Sequence, residues 1–320
     1  MHFFKGAATA LTALLLFGCG DSDPTDTTQK TAPHDETAMS AQVQKAKAPS
    51  CPPKLTTAPR AEGTPVDDII GLRPGLSYDE VVALIGCKEP DLTIETGRNW
   101  GILDSKDIET RQHVRATDGR ECTLSEKSEA FQRNGGSCYQ SHRKGRLEPR
   151  RDGTQTINVV FSGMPGEEKV YGVWRNVSFP KDAQPTVEGV IASLTEKYGE
   201  PQITGAVGYG KHKTFRWVFD ITGRTMSKTN PSFSHCGKAV NSAFRSRQQW
   251  QTSCGITIAA KVVHIRGNDL IAKELEIGLL DQKGFYDANE QLKADIEAAT
   301  QQANAAAAAK AEKAAAKLDL

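Results

Sequence analysis

The sequence predicts an α+β fold: short helices packed on an antiparallel sheet, in two related units stapled by disulfides. Three features point there. A capped, short amphipathic helix closed by Gly and Pro occurs twice, alternating apolar stretches are bounded by turn residues, and an even set of cysteines fits an exported chain.

The first helix signal lies between Ile70 and Pro90. Ser77 and Glu80 have the spacing of a capping box, in which the Ser side chain accepts from the third helical N–H and the Glu reaches back. Val81, Leu84 and Ile85 fall on one helical face. Gly86 is expected to stop the helix and Pro90 to prevent its return. The second signal runs from Pro185 to Pro201, with Thr186 as cap, Val190, Ile191 and Leu194 facing the core, and Gly199 and Pro201 closing it. Each helix precedes a strand-like stretch with a Trp: Arg98-Asn99-Trp100-Gly101 after the first, Phe215 to Asp220 after the second.

Strands are also legible at 156–161 and 169–175, which flank Gly163-Met164-Pro165-Gly166 as a hairpin. A second hairpin is predicted from 255–265 and 270–280, turning at Gly267-Asn268-Asp269. Alternation puts Leu275, Ile277 and Leu279 on one face. Gly205, Gly208 and Gly210 read as a turn, not a phosphate loop. Tyr171, Trp174 and Trp217 are expected in the core, the alternative being an exposed sheet face that binds protein.

Of the seven cysteines, Cys19 stands apart. It follows a short start carrying Lys5, an apolar run from Ala7 to Phe17, and Leu16-Phe17-Gly18. The run is too short for the ~20 residues of a spanning helix and fits a signal peptide. The ending resembles the lipobox of bacterial lipoproteins, which implies acylation of Cys19 with palmitate-type chains. The remaining cysteines are Cys51, Cys87, Cys122, Cys138, Cys236 and Cys254. Pairing between sequence neighbours is expected: Cys51–Cys87, Cys122–Cys138 and Cys236–Cys254. No C-x-x-C occurs, and zinc-ligand spacing is absent.

The organisation follows: 1–18 signal peptide, 19–65 tether, 66–150 first helix-on-sheet unit with a basic loop, 151–286 second unit, 287–320 tail. Residues 20–65 are rich in Asp, Thr, Pro, Ala, Lys and Ser, with too little apolar surface to offset ordering entropy. The Ala-rich tail favours helix but carries only Leu292, Ile296, Leu318 and Leu320, so a solvated helix frayed at its end is expected, and a heptad seam is missing. A spacer or partner helix is the functional alternative.

The net charge of +1 argues against nucleic-acid binding. Nucleophile elbows, phosphate loops and zinc signatures are absent. The histidines, His2, His34, His113, His142, His212, His235 and His264, are scattered. His235 adjoins Cys236, but a disulfide there would leave no thiolate. Arg143, Lys144, Arg146, Arg150 and Arg151 are anion-binding candidates, for headgroups or peptidoglycan carboxylates, against the reading of a solvated loop.

The stretch from Ile70 to Pro90, with Gly75-Leu76-Ser77-Tyr78-Asp79-Glu80-Val81 at its centre, resembles the BamE/SmpA-type lipoproteins and the wider group of periplasmic domains related to β-lactamase inhibitor protein. The resemblance implies short helices on an antiparallel sheet, often in tandem. The expectation is a membrane-anchored, non-enzymatic binding or envelope-assembly module facing the periplasm. Outer-membrane anchoring is expected from Gly20, with inner-membrane anchoring left open. An envelope protein partner is expected, and no cofactor, metal or nucleic acid. The alternatives are a divergent envelope hydrolase and an inhibitor of a secreted hydrolase.

Overall fold

Eight antiparallel strands form one sheet: β1 (Thr93–Gly97), β2 (His113–Thr117), β3 (Gln155–Ser162), β4 (Lys169–Ser178), β5 (Ile203–Val207), β6 (His212–Val218), β7 (Ile256–Ile265) and β8 (Asn268–Asp281). Their spatial order is β1-β2-β3-β4-β8-β7-β6-β5. The computed structural model describes residues 51, 54–58, 65–97, 108–118, 153–208, 210–238, 240 and 252–315. The predicted Trp100 strand and the Cys122–Cys138 pair lie outside these residues. Among the described residues four helices accompany the sheet: α1 (Tyr78–Lys88), α2 (Val187–Tyr198), the single-turn α3 (Phe233–Cys236) and α4 (Gln282–Ala315).

The sheet is two four-stranded meanders joined edge to edge. β4 pairs with β8 from Gly172↔Leu280 to Ser178↔Glu274. Each meander follows a helix, α1 before β1–β4 and α2 before β5–β8. The two halves also attach their helices alike. The N-cap residue Ser77 bridges Lys169 at the start of β4, and the N-cap residue Thr186 bridges Ile271 near the start of β8.

Local chemistry sets the helix ends. Ser77 Oγ accepts from Glu80 N at 3.3 Å, and Glu80 Oε2 accepts from Ser77 N at 2.8 Å, the expected capping box. Thr186 Oγ1 accepts from Gly189 N at 3.0 Å. α2 ends at Gly199, whose φ of 77° suits a residue without Cβ. α1 departs from expectation: it runs through Gly86 to Lys88 and is capped at Glu89. Glycine weakens a helix interior by only ~1 kcal/mol. Here the next residue, Cys87, is tied by a disulfide to Cys51.

The front face of the sheet packs on α1 and α2. Leu76, Val81 and Ile85 from the first half and Val190, Leu194 and Trp217 from the second join Val159, Val173, Ile258 and Leu279 in one core. Ile191 packs at its margin. Each such side chain contributes roughly 1.5–3 kcal/mol on burial. Between the helix ends, Arg175 donates to Gln155 Oε1 at 2.8 Å and to Glu89 Oε1 at 3.0 Å. Lys197 Nζ lies 2.9 Å from Asp68 Oδ1, and Tyr198 donates to the Asp68 carbonyl at 2.8 Å.

On the back face Val160, Trp174, Ala259 and Leu280 meet Phe285 of α4. Trp174 lies where a Cβ on Gly172 or on its cross-strand partner Gly278 would collide with the indole. Its Nε1 donates to the Val240 carbonyl. α4 starts at Gln282, ahead of the expected 287, with Asp281 Oδ1 accepting from Gly284 N at 2.9 Å. Its first turns are not solvated: Phe285, Asn289, Leu292 and Ile296 are buried at helical spacing. Residues 301–315 are exposed, as expected of the tail.

Candidate binding surface

The register puts one row of residues across the whole back face: Thr93, Thr117, Thr156, Asn176, Glu276, Lys261, Thr214 and Gly205. Apart from Gly205, every member carries a polar side chain, although alternate positions of the same strands supply the apolar core. Period-2 alternation on a sheet is what aligns them. Lys261 Nζ and Glu276 Oε1 are 3.0 Å apart within the row. In the next row Arg115 and Glu95 form a longer pair at 3.7 Å. There too Asn158 Oδ1 meets His113 Nε2 at 3.1 Å, while Asn158 Nδ2 is buried with no hydrogen-bond partner among the described residues. Such an orphaned donor costs roughly 1–3 kcal/mol.

Two residues from Thr214 along β6, at His212, lies a histidine corner. The rings of His212 and His264 lie 4.7 Å apart, tilted by 60°. His264 Nδ1 lies 3.0 Å from the Ile265 carbonyl and Nε2 lies 2.5 Å from the Gly210 carbonyl. These two carbonyls favour the protonated ring and raise its pKa. His212 is pushed the other way, by burial first and then by His264 and Lys261, and its Nδ1 is buried with no partner among the described residues. A Cβ on Gly210 would come within 2.6 Å of the His212 ring, so glycine is required for this packing.

A separate ionic node fixes the far end of the sheet. Glu168, buried in the β3–β4 turn, accepts from Arg111 Nη2 at 2.8 Å, from Arg111 N at 3.0 Å and from Gly166 N at 2.8 Å. Arg111 also reaches Asp79 at 3.0 Å and sits 4.2 Å over the Tyr78 ring. Burial raises the Glu168 pKa, but the Arg111 and backbone bonds outweigh it and hold the group below its ordinary value.

The site residues read from sequence divide as follows. Cys51–Cys87 and Cys236–Cys254 are disulfides, as expected, with Cα atoms 5.5 Å and 5.3 Å apart. Cys236 therefore offers no thiolate to His235. Cys19, Cys122, Cys138, Arg143, Lys144, Arg146, Arg150 and Arg151 lie outside the described residues. Trp174 and Trp217 are each only 1% exposed and belong to the core, while Tyr171 is partly buried, its ring tilted 5.8 Å from Phe285. The polar row, the histidine corner and the Arg111–Glu168 node were not read from the sequence. Their members come from different strands, and only the strand register brings them together. Among the described residues no group of three metal-ligating side chains converges, and no helix is long and apolar enough to cross a membrane.

Comparison with known proteins returns no matching family model, no matching curated protein and no matching solved structure.

Proposed function

We propose that this chain is a lipid-anchored envelope protein, held by Cys19, whose sheet presents a binding surface to another envelope protein. The carrying observation is the polar row from Thr117 to Thr214, in register across the back face. α1 and α2 occupy the front face and α4 covers the back face around Phe285; within the row Thr156 is buried, while Asn176, Glu276, Lys261 and Thr214 are partly exposed. A rigid sheet holding threonines, an asparagine and a Lys–Glu pair in one line is suited to polar protein–protein contacts with little ordering cost on binding.

The domain is, on this reading, two related helix-on-sheet units of the kind found in BamE/SmpA-type lipoproteins. Support comes from the repeated order of helix and four-stranded meander. It also comes from the matching bridges Ser77↔Lys169 and Thr186↔Ile271. The module works by binding, not by turnover.

The test is site-specific photocrosslinking in intact envelopes. A crosslinker at Thr214 on the back face is compared with one at Glu188, exposed on α2. Both are placed in the wild-type chain and in Cys19→Ala. The expected result is one defined envelope protein captured from Thr214, not from Glu188, and lost on Cys19→Ala. Equal capture from both positions, or none from Thr214, overturns the surface. Labelled palmitate absent from the wild-type protein overturns the anchor.

A further inference from the structure

We propose that His264 is held as the imidazolium between two backbone carbonyls and acts as a pH-sensitive latch that fastens the edge hairpin β5–β6 to the β7–β8 hairpin. The Ile265 carbonyl faces Nδ1 at 3.0 Å and the Gly210 carbonyl faces Nε2 at 2.5 Å. A carbonyl oxygen can only accept, so both ring nitrogens must donate. Neutral imidazole has one N–H, and only the cation has two. A neutral His264 would set a nitrogen lone pair against a carbonyl oxygen on one side.

Gly210 lies in the β5–β6 turn and Ile265 ends β7, so the ring spans two hairpins. β5 is the last strand of the sheet and pairs only with β6 among the described strands. Its residues after Ile203 are exposed. Among the described residues the Gly210 contact ties this edge turn to β7, and the local opening free energy is expected to be low.

The charges around the two rings favour a single cation, on His264. His212, on β6, faces His264 at 4.7 Å and is disfavoured as a second cation by burial. From β6, Lys213 opposes the charge on His264, while Asp269, in the β7–β8 hairpin, favours it. Lys261 of β7 opposes protonation of His212, and Glu274 and Glu276 of β8 favour it. A rise in pH removes the His264 proton, removes one of the two bonds, and frees the turn. This device is independent of the binding role proposed above.

The experiment is an NMR titration of the intact, disulfide-bonded protein across the histidine range. The His264 ring resonances are followed together with amide exchange in β5 and β6, corrected for the intrinsic base-catalysed rate. The expected result is that His264 titrates above 6.5, and above His212. Exchange in β5 and β6 should accelerate through that same titration while β3 and β4 stay protected. In His264→Gln the hairpin should exchange fast at every pH. A His264 that titrates at or below 6.5, or hairpin protection that is unchanged through its titration, overturns the latch. The wild-type titration decides the point even if the variant fails to fold.

Discussion

Glu80 grips Thr57 twice: Oε2 accepts the Thr57 hydroxyl at 2.6 Å, and Oε1 accepts its backbone N–H at 2.8 Å. Oε1 also accepts the backbone N–H of Thr56 at 2.6 Å. The capping-box glutamate of α1 therefore also anchors the segment that arrives from Cys51. With Cys51 bonded to Cys87 near the other end of α1, Thr56 and Thr57 are tied to one end of the helix and Cys51 to the other.

Burial works against the Glu80 charge, but bonds from Thr57 and Ser77 outweigh it and hold the carboxyl at about 2. The pKa is depressed on folding. Its contribution is therefore present above the ordinary value of 4.5 and is lost as pH falls through about 2. Glu80→Gln should lower unfolding free energy by about 2–3 kcal/mol at neutral pH, since charge-assisted bonds are each worth ~1.5–3 kcal/mol. The same variant should flatten the acid limb of the stability curve. Urea titrations of both proteins at pH steps from neutral down to 2 check it; parallel curves would contradict this account.

The two disulfides among the described residues should open in order. Cys51 is exposed, whereas Cys236 and Cys254 are fully buried beside Val218 and Met226. Graded reductant followed by thiol alkylation and mass spectrometry should label Cys51 and Cys87 first. Loss of the Cys51–Cys87 bond, which closes 36 residues, should cost about 3–4 kcal/mol in the chain-entropy model. Labelling of Cys236 before Cys51 would refute the burial argument.

Arg111→Ala should destabilise by about 2–3 kcal/mol, because it strands the Glu168 carboxylate inside the protein. The loss falls below the ~3–5 kcal/mol of a fully buried pair, since the Arg111 side chain is 39% exposed and backbone N–H groups still reach Glu168. The double variant Arg111→Leu/Glu168→Leu should recover most of it. Guanidinium melts of both variants measure the difference, and equal losses would disprove the coupling.

α4 should divide into a docked half and a free half. Leu292→Ala removes a side chain that is 1% exposed and should cost about 2–4 kcal/mol. Truncation after Thr300 removes exposed alanine-rich turns and should leave the thermal midpoint nearly unchanged while reducing helical circular dichroism. A large fall in the midpoint on truncation would show that the free half packs on something.

Much of this protein is determined by local sequence. The capping box at Ser77 and Glu80, the Thr186 cap, the hairpins around Gly163 and Gly267, and the neighbour-paired disulfides depend on residues close along the chain, and sequence spacing carries them. Gly86 misleads because a helix-breaking propensity of ~1 kcal/mol is smaller than the packing of Leu84 and Ile85 and the tie at Cys87. The docked start of α4 is missed because its apolar stripe begins at Phe285, inside the span assigned to the second unit, ahead of the tail expected from 287. Only the tertiary structure decides that β4 pairs with β8, since backbone hydrogen bonds carry no side-chain label and either meander could expose that edge. That one pairing places Asn176 beside Glu276, which makes the polar row continuous across the two halves. The histidine corner likewise needs two turns brought together, and no pattern in the chain links Gly210 to His264 before the strands are in register.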